Sequence, residues 1–261
     1  MNSLYCILVI YNQSVEDSCS YQFLHKNKNV QLIVYDNSTK EYFNRDKVEQ
    51  EGHLYLTTHE NVGLSKAYNR CLDVIQNINP LMEGFVCILD DDTCLNEEYI
   101  QQIEHLDPTY DVYVPRVIDE RGILSPCDFQ GLVPKRLKEL QNSFEKNMSA
   151  INSGMVISCR IFQTYRYDER LFLDFVDHHF LLDMHKQNRK IQLLPVSIQQ
   201  NFSSNSNTKE QALHRFSLYR HDIRVFYQEI YHQSFLYWKT IIKRRCRLMI
   251  QYKNLMFLWR K

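Results

Sequence analysis

Three consecutive carboxylates, Asp90, Asp91 and Asp92, stand directly after an apolar run at residues 85–89. Such a run predicts a fully buried strand, and buried parallel strands deliver their polar residues into a crevice at the carboxyl end. Carboxylates crowded there repel one another, and a hard divalent cation such as Mg²⁺ or Mn²⁺ relieves the repulsion and can hold a diphosphate. We therefore predict a metal–diphosphate site with Asp90 and Asp92 as its principal pair. The alternative is a solvated turn in which Asp92 or Asn96 caps the following helix.

The elements around this site alternate as in an α/β protein. Apolar runs predict strands at Leu4–Ile10, 30–35 and Leu54–Thr57, and helical periodicity predicts helices at Leu64–Ile78 and about 96–106. Because parallel strands end at the same edge of a sheet, we expect the polar residues that follow them to line one nucleotide crevice. Besides the aspartate triplet, these residues are Tyr11, Asn12, Asp36, Asn37, Asn61 and Gly63.

The second half of the chain is less regular. The pattern predicts a strand at 111–117, a tight turn at 119–122, a mobile loop at 126–149, a strand at 152–157, a helix ending near Gln187 and a last strand at 191–196. A polar tract at 201–207 is typical of a linker, and apolar residues at steps of three and four from Ala212 to Ile230 predict an amphipathic helix. We expect one domain at 1–205 and a C-terminal basic helical extension at 206–261.

Charge is distributed unevenly along the 261 residues. Lys+Arg and Asp+Glu both number 31, but residues 232–261 hold eight basic side chains and no acidic one, so residues 1–231 have 23 basic against 31 acidic and a formal charge of −8. A basic segment rich in aromatic residues is a candidate for lying on an anionic membrane surface. The alternative is a helix packed on its own domain with a solvated basic face. Because this basic concentration is terminal, we do not expect nucleic acid as a partner.

Eight cysteines are scattered through the chain without a CxxC pair. This distribution indicates reduced thiols in a cytoplasmic protein and argues against a disulfide framework or a zinc site. No apolar stretch approaches the roughly 20 residues that span a bilayer, and the first apolar run lacks the length and basic flank of a signal peptide. We therefore expect a cytoplasmic protein that is either soluble or peripherally bound to the inner face of the cell membrane.

Several stretches together resemble glycosyltransferase family 2, whose enzymes have the GT-A fold, and the rhamnosyltransferase-like subset resembles them most. In order, these are ILVIYN (7–12), IVYDNST (33–39), ENVGLSKAYNRCL (60–72) and CILDDDT (87–93), followed by NSGMVI (152–157) and YDERLFLDFVDHHF (167–180). The resemblance covers about residues 3–200. It implies a Rossmann-like, mostly parallel sheet flanked by helices.

The resemblance also implies a role for each candidate residue. Asp36 is expected to contact the nucleotide base, Asp92 with Asp90 to bind the Mg²⁺ or Mn²⁺ that grips the diphosphate, and Asp177 to act as the catalytic base. The remaining residues expected to bind the nucleotide sugar are Tyr11, Asn12, Asn61, Gly63, Lys66 and Asp91.

Each of these assignments has a structural alternative. Asp36 fits a plain turn, and Asn61 fits a helix-capping loop. Asp177 also fits a helix cap, and Asp174 is its local competitor for the catalytic role.

Two further sequence features concern the acceptor side and the metal. His178 and His179 are adjacent, so on a helix they point to different faces, and we expect acceptor-side or surface positions for them. No late histidine that would complete a metal shell is evident, and Gln199 or Gln200 occupies that neighbourhood.

The function implied by the resemblance is an inverting transfer of one sugar from a nucleotide-diphosphate-sugar donor to a hydroxyl of a glycan acceptor, in surface-polysaccharide or lipid-linked-oligosaccharide synthesis. The alternative is a non-catalytic scaffold subunit that binds the nucleotide sugar within a glycan-synthesis complex. A phosphotransferase built on Asp-x-Asp-x-Thr is disfavoured because Cys94 stands where the threonine belongs.

Overall fold

The structure, a computed structural model, describes residues 3–139, 141–200 and 208–259. The predicted linker at 201–207 and the predicted domain boundary between residues 205 and 206 lie outside the described residues. The strands are β1 (Leu4–Ile10), β2 (Gln31–Asp36), β3 (Leu54–Thr57), β4 (Phe85–Asp90), β5 (Thr93–Cys94), β6 (Val112–Asp119), β7 (Gly122–Ser125), β8 (Cys127–Asp128), β9 (Lys135–Arg136), β10 (Met148–Ser149), β11 (Met155–Ser158) and β12 (Ile191–Gln200). The α-helices are α1 (Cys19–Leu24), α2 (Asn44–Gln50), α3 (Leu64–Ile78), α4 (Glu97–Glu104), α5 (Val176–Lys186), α6 (Lys209–Arg224), α7 (Ser234–Tyr252) and α8 (Met256–Trp259).

One large mixed sheet forms the centre of the molecule, with strand order β3-β2-β1-β4-β11-β6-β12-β5 and β7 paired to β6. Strands β1 to β4 run parallel, as do β6 and β12, whereas β11 is antiparallel to both of its neighbours. A separate small sheet contains β10, β8 and β9. The sheet is therefore mostly parallel in its first half, as the sequence predicts.

The register of the parallel strands aligns the ends that carry polar residues. In the β1–β2 pair Ile10 lies opposite Asp36, and in the β1–β4 pair Val9 lies opposite Asp90. The segments that follow β1, β2 and β4 consequently emerge at one edge of the sheet.

Burial on both faces explains why the central strands are continuously apolar. All seven residues of β1 and five of the six in β4 are buried. Two apolar layers cover the two faces of the sheet, one with α3 and α5 and the other with α1, α2 and α4. Successive residues of a central strand belong alternately to one layer and the other, as the pleat requires.

The C-terminal helices belong to the same apolar layer as α3 and α5. Phe216, Ile223, Tyr237, Leu248 and Phe257 are buried in that layer, where α7 packs against α6, α8 and the segment that follows α6. A π-helical turn at Val225–Ile230 follows α6 directly. No helix in the described ranges is both long and apolar enough to cross a membrane.

The structure departs from the sequence-based expectations in three regions. The short helices α1 and α2 have no strong periodic signal and were not predicted. The segment at 126–149, expected as a mobile loop, contains the small sheet and a turn of 3₁₀ helix at Gln130–Leu132. Strand β12 continues four residues beyond its predicted end because β6 pairs with it as far as Gln199. Five of the eight cysteines are buried, and their assignment as reduced thiols stays a prediction.

Candidate active site

A cavity of about 760 Å³ opens at the carboxyl ends of β1 and β4. It is lined by residues from both halves of the chain, including α6. Seven of the predicted site residues line it: Tyr11, Asn61, Gly63, Asp90, Asp91, Asp92 and Asp177. The residues predicted to bind the donor and the residue predicted to act as the base are far apart in sequence, but they therefore face the same cavity.

Helix α1 supports the turn that presents the aspartate triplet. Ser18 Oγ donates to the Asp91 carbonyl oxygen at 3.0 Å, and Ser20 Oγ donates to the carbonyl oxygens of Asp90 at 2.7 Å and Thr93 at 2.9 Å. The first turn of α4 is capped instead by Asn96, whose side chain accepts from Tyr99 N at 2.8 Å. The helix cap thus needs no aspartate, and the three carboxylates are left for the cavity.

Burial perturbs all three carboxylates. It raises the pKa of Asp90 to about 7 and that of Asp91 to about 6, and the negative charge of Asp92 adds to both effects. Burial also raises the pKa of Asp92. Ser153 Oγ donates to the Asp90 carboxylate and opposes the rise. Carboxylates held together in this way are electrostatically unfavourable without a cation.

The residues of the triplet fit a divalent cation that a bound diphosphate helps to coordinate. Within the described ranges, no three His, Cys, Asp or Glu side chains are placed to form a complete metal cage. Mg²⁺, however, is commonly held by one or two carboxylates together with substrate phosphates and water. Gln200 Nε2 donates to Asp92 Oδ1 at 2.9 Å, and Gln200 Oε1 is buried without a hydrogen-bond partner in the described chain. This oxygen and the Asp92 carboxylate are suitable hard ligands beside the cavity.

Asp177 lies in the first turn of α5, and its position depends on an unusual backbone. Phe175, the residue before the helix, has φ +65°, the left-handed region that non-glycine residues seldom adopt. Asp177 Oδ1 accepts from His178 N at 2.7 Å, and burial raises the pKa of the carboxyl. Asp174, the other candidate for the catalytic base, is instead paired with Arg215, which donates to both of its carboxylate oxygens at 2.6 Å. Of the two carboxylates, Asp177 lines the cavity and Asp174 is paired with Arg215, and the role of Asp177 as the catalytic base stays a prediction.

Helix α6 holds the loop that leads to Asp177, a contribution that sequence reasoning missed. The buried Asp222 carboxylate accepts from the backbone N–H groups of Phe172, Leu173 and Asp174 at 2.9, 2.8 and 2.7 Å. The same helix lines the cavity with His214, Arg215 and Leu218. No local pattern reveals this, because Asp222 resembles any polar residue of an amphipathic helix.

Gly63 holds the other side of the same loop. Its φ is +83°, and a Cβ built there would lie 2.6 Å from the Phe172 carbonyl oxygen. Leu64 N donates to that oxygen at 2.6 Å. The glycine is needed both for its conformation and for the close approach of Phe172.

Three predicted residues are not part of the cavity lining. The Asp36 carboxylate is buried and accepts from Ser38 N, Asn44 Nδ2 and Tyr55 OH, each at 2.8 Å. Asn12 Oδ1 accepts from Thr39 N at 3.0 Å, and Lys66 is exposed on α3. The roles assigned to these three residues stay predictions.

Asn37 lines the cavity beside these residues and organises the Asn61–Gly63 turn. Its Oδ1 accepts from Val62 N at 3.0 Å, and its Nδ2 donates to the Gly63 carbonyl oxygen at 3.3 Å. Asn61 Oδ1 accepts from Gly63 N at 3.1 Å, so the predicted capping-type loop is present and also faces the cavity.

The surface position predicted for the paired histidines is wrong, because both side chains are buried, and the acceptor-side position stays a prediction. His178 stacks on Phe129 with ring centroids 4.4 Å apart, and its Nδ1 lies 2.7 Å from Ser149 Oγ. His179 Nδ1 lies 2.9 Å from Tyr231 OH. Helix α5 is covered on both sides, by the small sheet and by the segment after α6, so both imidazoles are largely removed from solvent.

Comparison with known proteins identifies the fold. No family model matches the sequence, and no curated protein is detectably similar to it. The crystal structure of S. aureus TarS matches with a TM-score of 0.54 and 17% identity over 86% of this chain and 43% of that chain. The structure of TarS 1–349 matches with a TM-score of 0.51 and 17% identity over 87% of this chain and 73% of that chain. Its complex with UDP matches with a TM-score of 0.51 and 17% identity over 85% of this chain and 65% of that chain.

These similarities confirm the predicted α/β, GT-A-type fold. The chain spans less than half the length of the first TarS structure. Likeness at this identity concerns the fold, and the rhamnosyltransferase-like assignment stays a prediction.

Proposed function

We propose that this protein is an inverting glycosyltransferase that moves one sugar from a nucleotide-diphosphate sugar to a hydroxyl of a glycan acceptor. The observation that carries the proposal is the meeting of the Asp90–Asp91–Asp92 turn and Asp177 around one cavity of about 760 Å³. The fold supports it, because a TarS structure with this fold was determined in complex with UDP.

The donor side of the reaction is assigned to the aspartate triplet. We assign Asp92 and Asp90 as ligands of Mg²⁺ or Mn²⁺, which when bound would neutralise the charge developing on the departing diphosphate. Asp91, Asn61 and Tyr11 border the same space and are assigned to the nucleotide sugar. Tyr11 is exposed at the cavity and offers an aromatic face to the nucleoside.

The acceptor side is assigned to Asp177. In a single displacement, the acceptor hydroxyl oxygen attacks the anomeric carbon, the bond to the diphosphate breaks, and the hydroxyl proton moves to the Asp177 carboxylate. Burial raises the pKa of this carboxyl, so its ionised form is a stronger base than an exposed aspartate. Asp222 and Gly63 keep the loop before α5 in place and act as positioning residues.

The proposal also includes the kind of acceptor and the location of the protein in the cell. We assign the acceptor to a surface polysaccharide or a lipid-linked oligosaccharide, and the protein to the cytoplasm or the inner face of the membrane. The basic C-terminal region supports a location close to anionic lipid. A competing function is the scaffold subunit that binds a nucleotide sugar without turnover; it would not need a carboxylate at position 177 facing the donor space.

A comparison of three variants tests the proposal. Release of nucleoside diphosphate from a panel of nucleotide sugars, with and without Mn²⁺, should identify a donor. Asp177→Asn should lower turnover by about 10²–10⁴-fold and keep the thermal stabilisation by nucleotide. Asp92→Asn should lose the Mn²⁺-dependent part of that stabilisation. Asp183→Asn is the matched control, because Asp183 is on the same helix and pairs with Lys186 and His179, outside the cavity lining.

The outcomes separate the two functions. Full turnover by Asp177→Asn contradicts the role of the base. Nucleotide-dependent stabilisation of the wild-type chain without turnover of any donor favours the scaffold.

A further inference from the structure

Helix α7 exposes an apolar stripe to solvent. Phe235, Trp238, Ile242 and Ile250 are 75%, 57%, 57% and 70% exposed. Steps of three, four and eight residues place them on one side of a helix with 3.6 residues per turn. The opposite side of α7 is buried in the core through Tyr237, Ile241 and Leu248. The exposed apolar surface continues past the end of α7 with Leu255 and Met256.

Basic side chains border this stripe. Lys239, Lys243 and Arg247 are exposed along one flank of α7, and Lys253 is exposed at its C-terminal end. The ordinary surface helix presents charged residues at the centre of its exposed face. Here the exposed face is mainly aromatic and aliphatic and one flank is cationic, the arrangement of helices that lie in a membrane interface.

The positive charge beside the exposed face of α7 indicates which kind of partner this face binds. No acidic residue follows Glu229 in the sequence. A second copy seated on the same face by two-fold symmetry would bring two cationic margins together, which is unfavourable. An anionic lipid surface instead attracts each of these cations and accepts the apolar stripe into its interfacial layer.

We infer that the exposed face of α7 binds an anionic lipid bilayer, with Phe235, Trp238, Ile242 and Ile250 inserted among the headgroups. The inference uses only the C-terminal helices and does not depend on the chemistry of the cavity. Binding is peripheral and reversible, because one helix face supplies it. It places the chain at the surface where membrane-anchored molecules are found.

Vesicle binding by the full chain provides the test. The protein should cosediment with vesicles of phosphatidylcholine mixed with phosphatidylglycerol, and much less with phosphatidylcholine alone. Added salt should weaken the binding, because it screens exposed charges. The chain has two tryptophans, so a Trp259→Phe variant leaves Trp238 as the sole reporter. Its emission should shift to the blue when the anionic vesicles are added.

Charge variants test the cationic margin. Neutralising Lys239, Lys243 and Arg247 to glutamine should weaken binding on the order of 100-fold, since each basic residue near such a surface contributes roughly a factor of five. A matched control replaces the exposed residues Lys26 and Lys28 by glutamine and should change binding little.

Apolar variants test the stripe. Phe235→Ser with Ile242→Ser should reduce binding to the same vesicles, whereas Phe43→Ser with Leu81→Ser, at similarly exposed positions elsewhere, should not. Circular dichroism and thermal unfolding establish that each variant is folded.

Three results would overturn the inference. The first is absence of binding by the wild-type chain, and the second is equal binding by the charge variant. The third is a dimer in sedimentation equilibrium that dissociates with the stripe substitutions, which would make this face a contact between copies.

Discussion

Replacing Asp90 by asparagine removes one of three crowded carboxylates and keeps an oxygen that can accept from Ser153 Oγ. Burial raises the pKa of Asp90 from 3.8 to about 7. The folded state therefore binds this proton more tightly than the unfolded chain, so ionised Asp90 destabilises the fold. If the carboxylate belongs to a cation site, the variant should be more stable than the wild type in the absence of metal.

The pKa difference sets the size of the effect. A difference of about 3 between the two states corresponds to roughly 4 kcal/mol at a pH above both values. Asp90 is only partly buried, so solvent screening and relaxation reduce this figure, and we expect about 1–3 kcal/mol. For a chain of this size the gain corresponds to about 2–10 °C in Tm. The gain should vanish about one pH unit below 3.8, where the carboxyl is neutral in both states, and be complete at about pH 8, above both pKa values.

The assay is thermal unfolding in EDTA across this pH range, with Asp46→Asn as the matched control. Asp46 is exposed on α2, and its replacement should change stability by no more than about 0.5 kcal/mol. Saturating Mn²⁺ should then stabilise the wild type more than Asp90→Asn. A variant that melts at or below the wild-type temperature at about pH 8 in EDTA would refute the reasoning, because the carboxylate would then stabilise the fold.

Three further predictions concern the same site. Gly63→Ala should lower the free energy of unfolding in urea by about 1–3 kcal/mol more than Gly52→Ala does. Both glycines have φ +83°, but a Cβ at position 63 would clash with Phe172, whereas nothing lies within 4 Å of a Cβ at position 52. Equal losses of stability would contradict this. Asp222→Ala should lower the free energy of unfolding by about 2–4 kcal/mol and lower kcat, because the three N–H groups of residues 172–174 lose their acceptor. An unchanged midpoint of urea unfolding would rule this out. Stabilisation by Mn²⁺ should increase from about pH 5 to about pH 8, because the cation competes with protons for the Asp90 carboxylate, whose pKa is about 7, and for Asp92, whose pKa burial also raises; a flat profile would exclude these ligands.

Local patterns were sufficient for the long elements. Strand β1 and helix α3 begin and end where the sequence predicts, since a continuous apolar run and a 3.6-residue period are properties of the segment itself. The aspartate triplet was found for the same reason: it follows a buried strand without interruption. Short helices such as α1 carry too few periodic residues for such a signal, and contacts with the aspartate turn stabilise α1 instead.

Contacts distant in sequence were beyond such patterns. Asp36 follows a strand as Asp90 does, but Asn44 and Tyr55 enclose its carboxylate. His178 is buried because residues around 129 and 149 fold over α5.

The amino-acid sequence by itself determined the α/β fold, the identity of the acidic residues and the basic, aromatic C-terminal segment, because composition and periodicity are local. Only the tertiary structure established that Asp92 and Asp177 face one cavity and that Asp222 supports the loop that precedes Asp177. It also distinguished the buried side of α7 from its exposed one. The physical reason is that packing and hydrogen bonding between remote segments decide which side chains lose water, and burial in turn sets their charge and their chemistry.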